Sequence, residues 1–185
     1  MQMGEDVGAI LDVIDGLQRR LLDLRRGVHR DIRARELTTG LSDLLTCHVG
    51  AQIMALPLRH VETVVMRCEV TKVPETPPWV LGMVDFHGDG MPVLDLRARL
   101  LGEVRDAEIE DMLVICSTEH GRVALAVQGV SEVRHGATLE VRDEVDHLAH
   151  ASYVLGVTYV TGAQLLVLSV PQLVAGLSLP EEPTT

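Results

Sequence analysis

Residues 82–96, GMVDFHGDGMPVLDL, place Gly88-Asp89-Gly90 between two short apolar runs. Glycine adopts positive φ without steric cost, so this pattern predicts a β-hairpin with its tip at those three residues. Pro92 lacks an N–H and suits a strand start or an edge position. Ahead of the hairpin, Pro74, Pro77 and Pro78 make a stiff extended segment that delivers the only tryptophan, Trp79, just before the first strand. Behind it, residues 97–101 read as one helical turn closed by Gly102, with Asp95 placed to cap it.

The same punctuation recurs along the chain. Residues 44–49 and 52–56 form a strand pair around Gly50-Ala51, and residues 57–62 make a short turn into Val64, Val65 and Met66. Residues 112–116 and 123–127 pair about Glu119-His120-Gly121, and residues 130–133 continue as a strand. Residues 138–149 read as an acidic, solvated loop. Residues 153–157 and 165–170 flank a turn containing Gly162, and residues 171–177 read as a closing helix. Nine or ten short Val- and Leu-rich strands with few helices imply a mainly β barrel or sandwich, not a βαβ sheet.

The first 38 residues follow a different period. Val7, Ile10, Ile14, Leu17, Leu21, Leu24 and Val28 alternate at spacings of three and four, predicting an N-terminal α-helix with a narrow heptad seam. Acidic residues gather toward its start and arginines toward its end, complementing the helix dipole. Gly8, Gly16 and Gly27 each cost about 1 kcal/mol relative to alanine. The seam centred on Ile10, Ile14, Leu17, Leu21 and Leu24 wants a partner, either a second chain or the body of its own domain. Residues 39–179 make the β domain, and residues 180–185 a free tail.

Charge and composition exclude several classes of function. The net charge is −11, and residues 1–36 hold seven Arg against seven acidic groups, so the negative charge falls on the β domain. Nucleic-acid binding needs clustered Lys and Arg, which are missing there. No apolar run approaches the roughly 20 residues that cross a bilayer, and the acidic N-terminus is unlike a signal peptide. Cys47, Cys68 and Cys116 are an odd, dispersed set beside apolar runs, which predicts buried reduced thiols and a cytoplasmic protein.

Catalytic and metal patterns are equally sparse. The eight histidines and three cysteines contain no HxH, CxxC or HExxH spacing, and the adjacent Cys47 and His48 point to opposite faces of a strand. No Ser lies in a nucleophile-elbow pattern. Asp85, Asp89 and Asp95 cluster around the hairpin and leave an acidic-site hydrolase as an outlying alternative. Turn and cap roles account for Asp89 and Asp95 more simply. No cofactor and no metal is expected, and the chain does not read as an enzyme.

Pro77, Pro78, Trp79, Gly82, Gly88, Pro92, Val93, Asp95 and Leu96 resemble, at matching spacing, the signature of the CheW-like domain. Val61 and Val64 fall on the two apolar positions of its earlier motif, and Tyr153 and Gly156 on a later repeat. The resemblance implies a double five-stranded, SH3-like β-barrel whose halves exchange strands over a shared apolar core. It also implies a non-catalytic adaptor joining the cytoplasmic tip of a methyl-accepting chemoreceptor to the regulatory domain of a CheA-type histidine kinase. Val61, Val64, Gly82, His87 and Gly88 then occupy the receptor-binding positions.

Four positions depart from the signature. Asp85 replaces asparagine, His87 replaces arginine, Gln128 replaces aspartate, and Ser169 stands where Asp or Asn is common. Neutral imidazole lacks arginine's fixed fork of donors, so His87 implies altered receptor coupling. A modulator that binds one partner in a specialised chemosensory pathway is the alternative reading.

Overall fold

The computed structural model describes residues 43–66, 68–105, 111–119, 121–139 and 151–177. The expected N-terminal helix, with Ile10, Ile14, Leu17, Leu21 and Leu24, lies outside those residues, as does the tail. Ten strands are described: β1 (Leu44–Val49), β2 (Gln52–Pro57), β3 (Val61–Met66), β4 (Val80–Phe86), β5 (Asp89–Asp95), β6 (Met112–Thr118), β7 (Gly121–Val127), β8 (Gly129–Arg134), β9 (Val154–Val160) and β10 (Ala163–Leu168). Two short helices follow hairpins, α1 (Leu96–Leu101) after β5 and α2 (Val170–Val174) after β10.

The strands form two five-stranded sheets, one in the order β8-β1-β2-β10-β9 and the other β3-β6-β7-β5-β4. The second sheet is a chain segment inserted between β2 and β8 of the first. Strand ladders leave both sheets open at their edges among the described residues. A single bridge, in which Thr71 and Met83 exchange N–H···O bonds of 2.8 Å, lays the β3–β4 connector along β4.

Both sheets follow one pairing diagram. Each consists of an edge strand, a hairpin antiparallel to it, and a second hairpin joined to the first by a parallel pair: β5 with β7, and β10 with β2. In the second sheet the edge strand β3, the β4–β5 hairpin and the β6–β7 hairpin follow one another along the chain. The first sheet instead draws its β1–β2 hairpin from the start of the domain, so the second sheet is inserted whole and the expected mutual exchange of strands is not seen among the described residues.

The registers match in detail. Each parallel-joined hairpin carries an irregularity at the same place, before Val80 pairs Leu94 and before Val154 pairs Leu168. Asp95 N–H donates to Trp79 O at 2.9 Å, and Ser169 N–H donates to Tyr153 O at 2.8 Å. Thus Trp79 and Tyr153, Gly82 and Gly156, Asp95 and Ser169, and Cys116 and Cys47 are equivalent pairs.

Alternation along the strands sends side chains into two cores. Leu45, Cys47, Met54, Leu56, Val157 and Leu168 of the first sheet meet Leu94, Val114, Cys116, Val123 and Leu125 of the second in a shared core. Val84, Met91, Val93, Leu113, Ile115 and Ala124 fill a separate core on the other face of the second sheet. β6 is therefore buried on both faces, which explains its unbroken run Leu-Val-Ile-Cys.

Three local expectations need correction. The hairpin tip is His87-Gly88, at φ 59° and 89°, while Asp89 and Gly90 belong to β5. A two-residue turn with positive φ at both positions matches the twist of its strands better than a longer loop. Pro92 sits in a strand with neighbours on both sides, tolerated because the ladder to β7 starts one residue later, at Val93. Cys68 is exposed, unlike Cys47 and Cys116, because the chain has left β3 by that point.

Candidate functional site

The second sheet carries every receptor-binding position drawn from the sequence. Val61 and Val64 lie on β3, both half-buried and packed against the shared core. Gly82, His87 and Gly88 lie on β4 and its turn, at the other end of the strand order. Each has a structural reason beside any binding role. A Cβ on Gly82 (φ 141°) would stand 2.1 Å from the carbonyl oxygen of Thr71, so only glycine lets the connector lie on β4. Gly88 has open space around it and answers to its φ alone.

The turn is braced from within. Asp85 Oδ1 accepts the N–H of Gly88 at 3.0 Å, an Asx-type contact that fixes the reversal. The exposed His87 ring packs edge-on against Phe86, 4.3 Å between centres. Non-glycine residues at positive φ are uncommon, with histidine among the more tolerant.

One side chain spans the sheet between these two groups. Arg122, near the start of β7, donates to Glu62 Oε2 at 2.6 Å and to Asp89 Oδ2 at 2.9 Å. Its guanidinium carbon lies 5.4 Å from the centre of the Phe86 ring. Glu62 neighbours Val61, and Asp89 neighbours Gly88, so the fork reaches over β6 to tie β3 to the hairpin. The hydrogen bond Arg122 donates to Glu62, ahead of the pairing with Asp89, raises its pKa above the ordinary value. Sequence reasoning missed Arg122; its one signal is a cation opening an apolar strand in an acid-rich domain.

A second cation lies between the halves. Arg99 of α1 stacks over Trp79 and Tyr153 and donates to the carbonyl of Ala175 at 3.0 Å. Burial lowers its pKa, and Tyr153 opposes that shift. Nearby, a cleft of about 310 Å³ is lined by Gly50, Gln52, Arg97, Leu101, Arg105 and Gln128. Its arginines pair with Glu103 and Asp111, and Gln128 Oε1 accepts the N–H of Gly50 at 2.6 Å.

The aspartates do not form a catalytic pair. Asp85 braces the turn, Asp89 pairs with Arg122, and Asp95 is buried, capping α1 by accepting from Arg97 N at 2.8 Å and Ala98 N at 3.1 Å. Among the described residues no group of three His, Cys, Asp or Glu could hold a metal ion, and no helix is long and apolar enough to cross a membrane.

Two five-stranded sheets built on one pairing diagram over a shared core define a double-sheet β domain. The chain belongs to the CheW-like domain family, whose model matches residues 43–177; its members are non-catalytic adaptors of chemotaxis signalling. It is 23% identical over 134 residues to the chemotaxis protein CheW of Rhizobium meliloti, covering 71% of this chain and 86% of that protein. To a probable chemotaxis protein CheW of Rhizobium etli it is 25% identical over 111 residues, covering 60% and 68%. The fold is similar to the crystal structure of the scaffolding protein TtCheW from Thermoanaerobacter tengcongensis, with a TM-score of 0.63 and 21% identity over 71% of this chain and 86% of that one.

Proposed function

We propose that the chain couples the cytoplasmic tip of a methyl-accepting chemoreceptor to the regulatory domain of a CheA-type histidine kinase. The observation that supports this most is the Glu62–Arg122–Asp89 bridge, which connects the strand of Val61 and Val64 to the turn of His87 and Gly88. The bridge ties the edge strand β3 to the hairpin turn on the face of the sheet that carries Phe86. In this reading each sheet curls into a small barrel, and the chain works in the cytoplasm, reaching the membrane only through receptor arrays. The seam of Ile10, Ile14, Leu17, Leu21 and Leu24 supplies self-association or a further contact.

The receptor contact is tested by titrating a helical-hairpin fragment of a chemoreceptor tip into the chain by calorimetry. Val61→Asp abolishes binding, and His87→Arg strengthens it by restoring a forked cation at the turn. Unchanged affinity in both variants refutes the assignment of these positions. The presence of His87 favours the second reading, a modulator bound to one partner. In that case kinase and receptor compete for the chain instead of joining on it.

A further inference from the structure

We propose that Arg122 is the positioning residue of the docking surface, supplying from β7 the forked cation that His87 does not supply from the turn. This rests on the receptor-coupling reading. The internal repeat shows that the fold does not require the clamp. By register, Arg122 is equivalent to Ile53, Glu62 to Ser131, and Asp89 to Ala163. The first sheet therefore builds the same edge strand, hairpins and parallel join with none of the three charges. Its tight turn, Thr161-Gly162, adopts the same pair of positive φ values without a clamp beside it.

The clamp is thus an addition to one of two equivalent sheets, and it ties the strand of Val61 to the turn of His87 and Gly88. It also carries a local penalty, because Arg122 Nε is buried without a hydrogen-bond partner. The fork leaves the surface reachable, with the Arg122 side chain 28% exposed and that of Asp89 67% exposed. A guanidinium has five N–H donors, so two carboxylates do not saturate it. Held between Glu62 and Asp89, it fixes the turn relative to Val61 and presents the remaining donors to a partner's carbonyl or carboxylate. Lysine cannot reproduce this, since a point charge lacks the planar fork.

The test titrates the same receptor-tip fragment into the full chain and four sets of variants, with thermal unfolding measured alongside. Arg122→Met weakens binding roughly tenfold, the loss expected for an ordered charged hydrogen bond, while unfolding shifts little. Arg122→Lys binds with intermediate affinity. Glu62→Gln and Asp89→Asn each weaken binding in the natural chain and add nothing once Arg122 is methionine. His87→Arg in the Arg122→Met background recovers most of the loss, which a merely structural arginine would not allow. If Arg122→Met binds as tightly as the natural chain, the role of Arg122 falls while receptor coupling stands. If the natural chain does not bind the fragment, both fall together. Should Arg122→Met fail to fold, the glutamine and asparagine variants decide, and undiminished binding by both overturns the proposal.

Discussion

The guanidinium of Arg99 lies 3.7 Å from the ring centre of Trp79. Tyr153, the counterpart of Trp79 in the other half, lies 4.9 Å from the same guanidinium. One cation from α1 therefore meets both equivalent aromatic residues and ties the two halves where their cores merge. Cation–π contacts contribute about 0.5–2 kcal/mol, so Arg99→Ala is expected to destabilise the domain by about 1–2 kcal/mol. Trp79 is the only tryptophan, so its fluorescence reports the site. Its accessibility to acrylamide should rise in the variant, and an unchanged quenching constant would contradict the latch.

The caps of the two short helices differ. Asp95 accepts two N–H groups of α1, whereas Ser169 makes no side-chain cap bond to α2. Replacing an N-cap carboxylate by alanine costs about 1 kcal/mol. Asp95→Ala should lower stability by at least that amount, and Ser169→Ala should cost less. Urea midpoints of the two variants give the comparison, and equal losses would assign no special weight to the Asp95 cap.

Gly82 and Gly88 both have positive φ but differ in their surroundings. Alanine at Gly88 meets only the backbone penalty, about 1–2 kcal/mol. Alanine at Gly82 meets the Thr71 carbonyl as well and must displace the connector, so a loss of about 3 kcal/mol or more is expected. Denaturant unfolding of both variants would expose an error here if their losses were equal.

Burial pushes the Cys47 thiol up to about 12. It does the same for Cys116, to which nearby Cys47 and Glu62 add. Both pKa values are higher folded than unfolded, where cysteine titrates near 8.5. The thiols' contribution is therefore complete below about pH 8.5 and is lost as pH climbs toward 12. Thermal midpoints should fall more steeply with alkaline pH in the natural chain than in a Cys47→Val, Cys116→Val variant. A thiol reagent should label Cys68 alone in the native protein.

Most elements were legible because their signals are local. Glycine turns separate apolar runs, and hairpins pair neighbours, so β1–β2, β4–β5, β6–β7 and Asp95's cap follow from short stretches. The parallel joins of β5 with β7 and β2 with β10 are not legible in this way, since no nearby residue records a partner in the next hairpin. Turn chemistry misplaced the hairpin tip because Gly88-Asp89-Gly90 drew it one residue late, whereas His87 and Gly88 adopt positive φ. The proposed docking positions were marked by resemblance to the family signature, but their bridge was not. Arg122 matters through residues 60 positions before it and 33 before it, and only the folded sheet brings those together.

The central claim is that this chain joins two signalling proteins. Immobilised chemoreceptor-tip fragment is incubated with the regulatory domain of a CheA-type kinase, with and without the full chain, and kinase retention is measured. The account predicts little retention without the chain, strong retention with it, and loss of that retention with the Val61→Asp variant. Displacement of kinase by the receptor fragment, with each binding the chain singly, would contradict it.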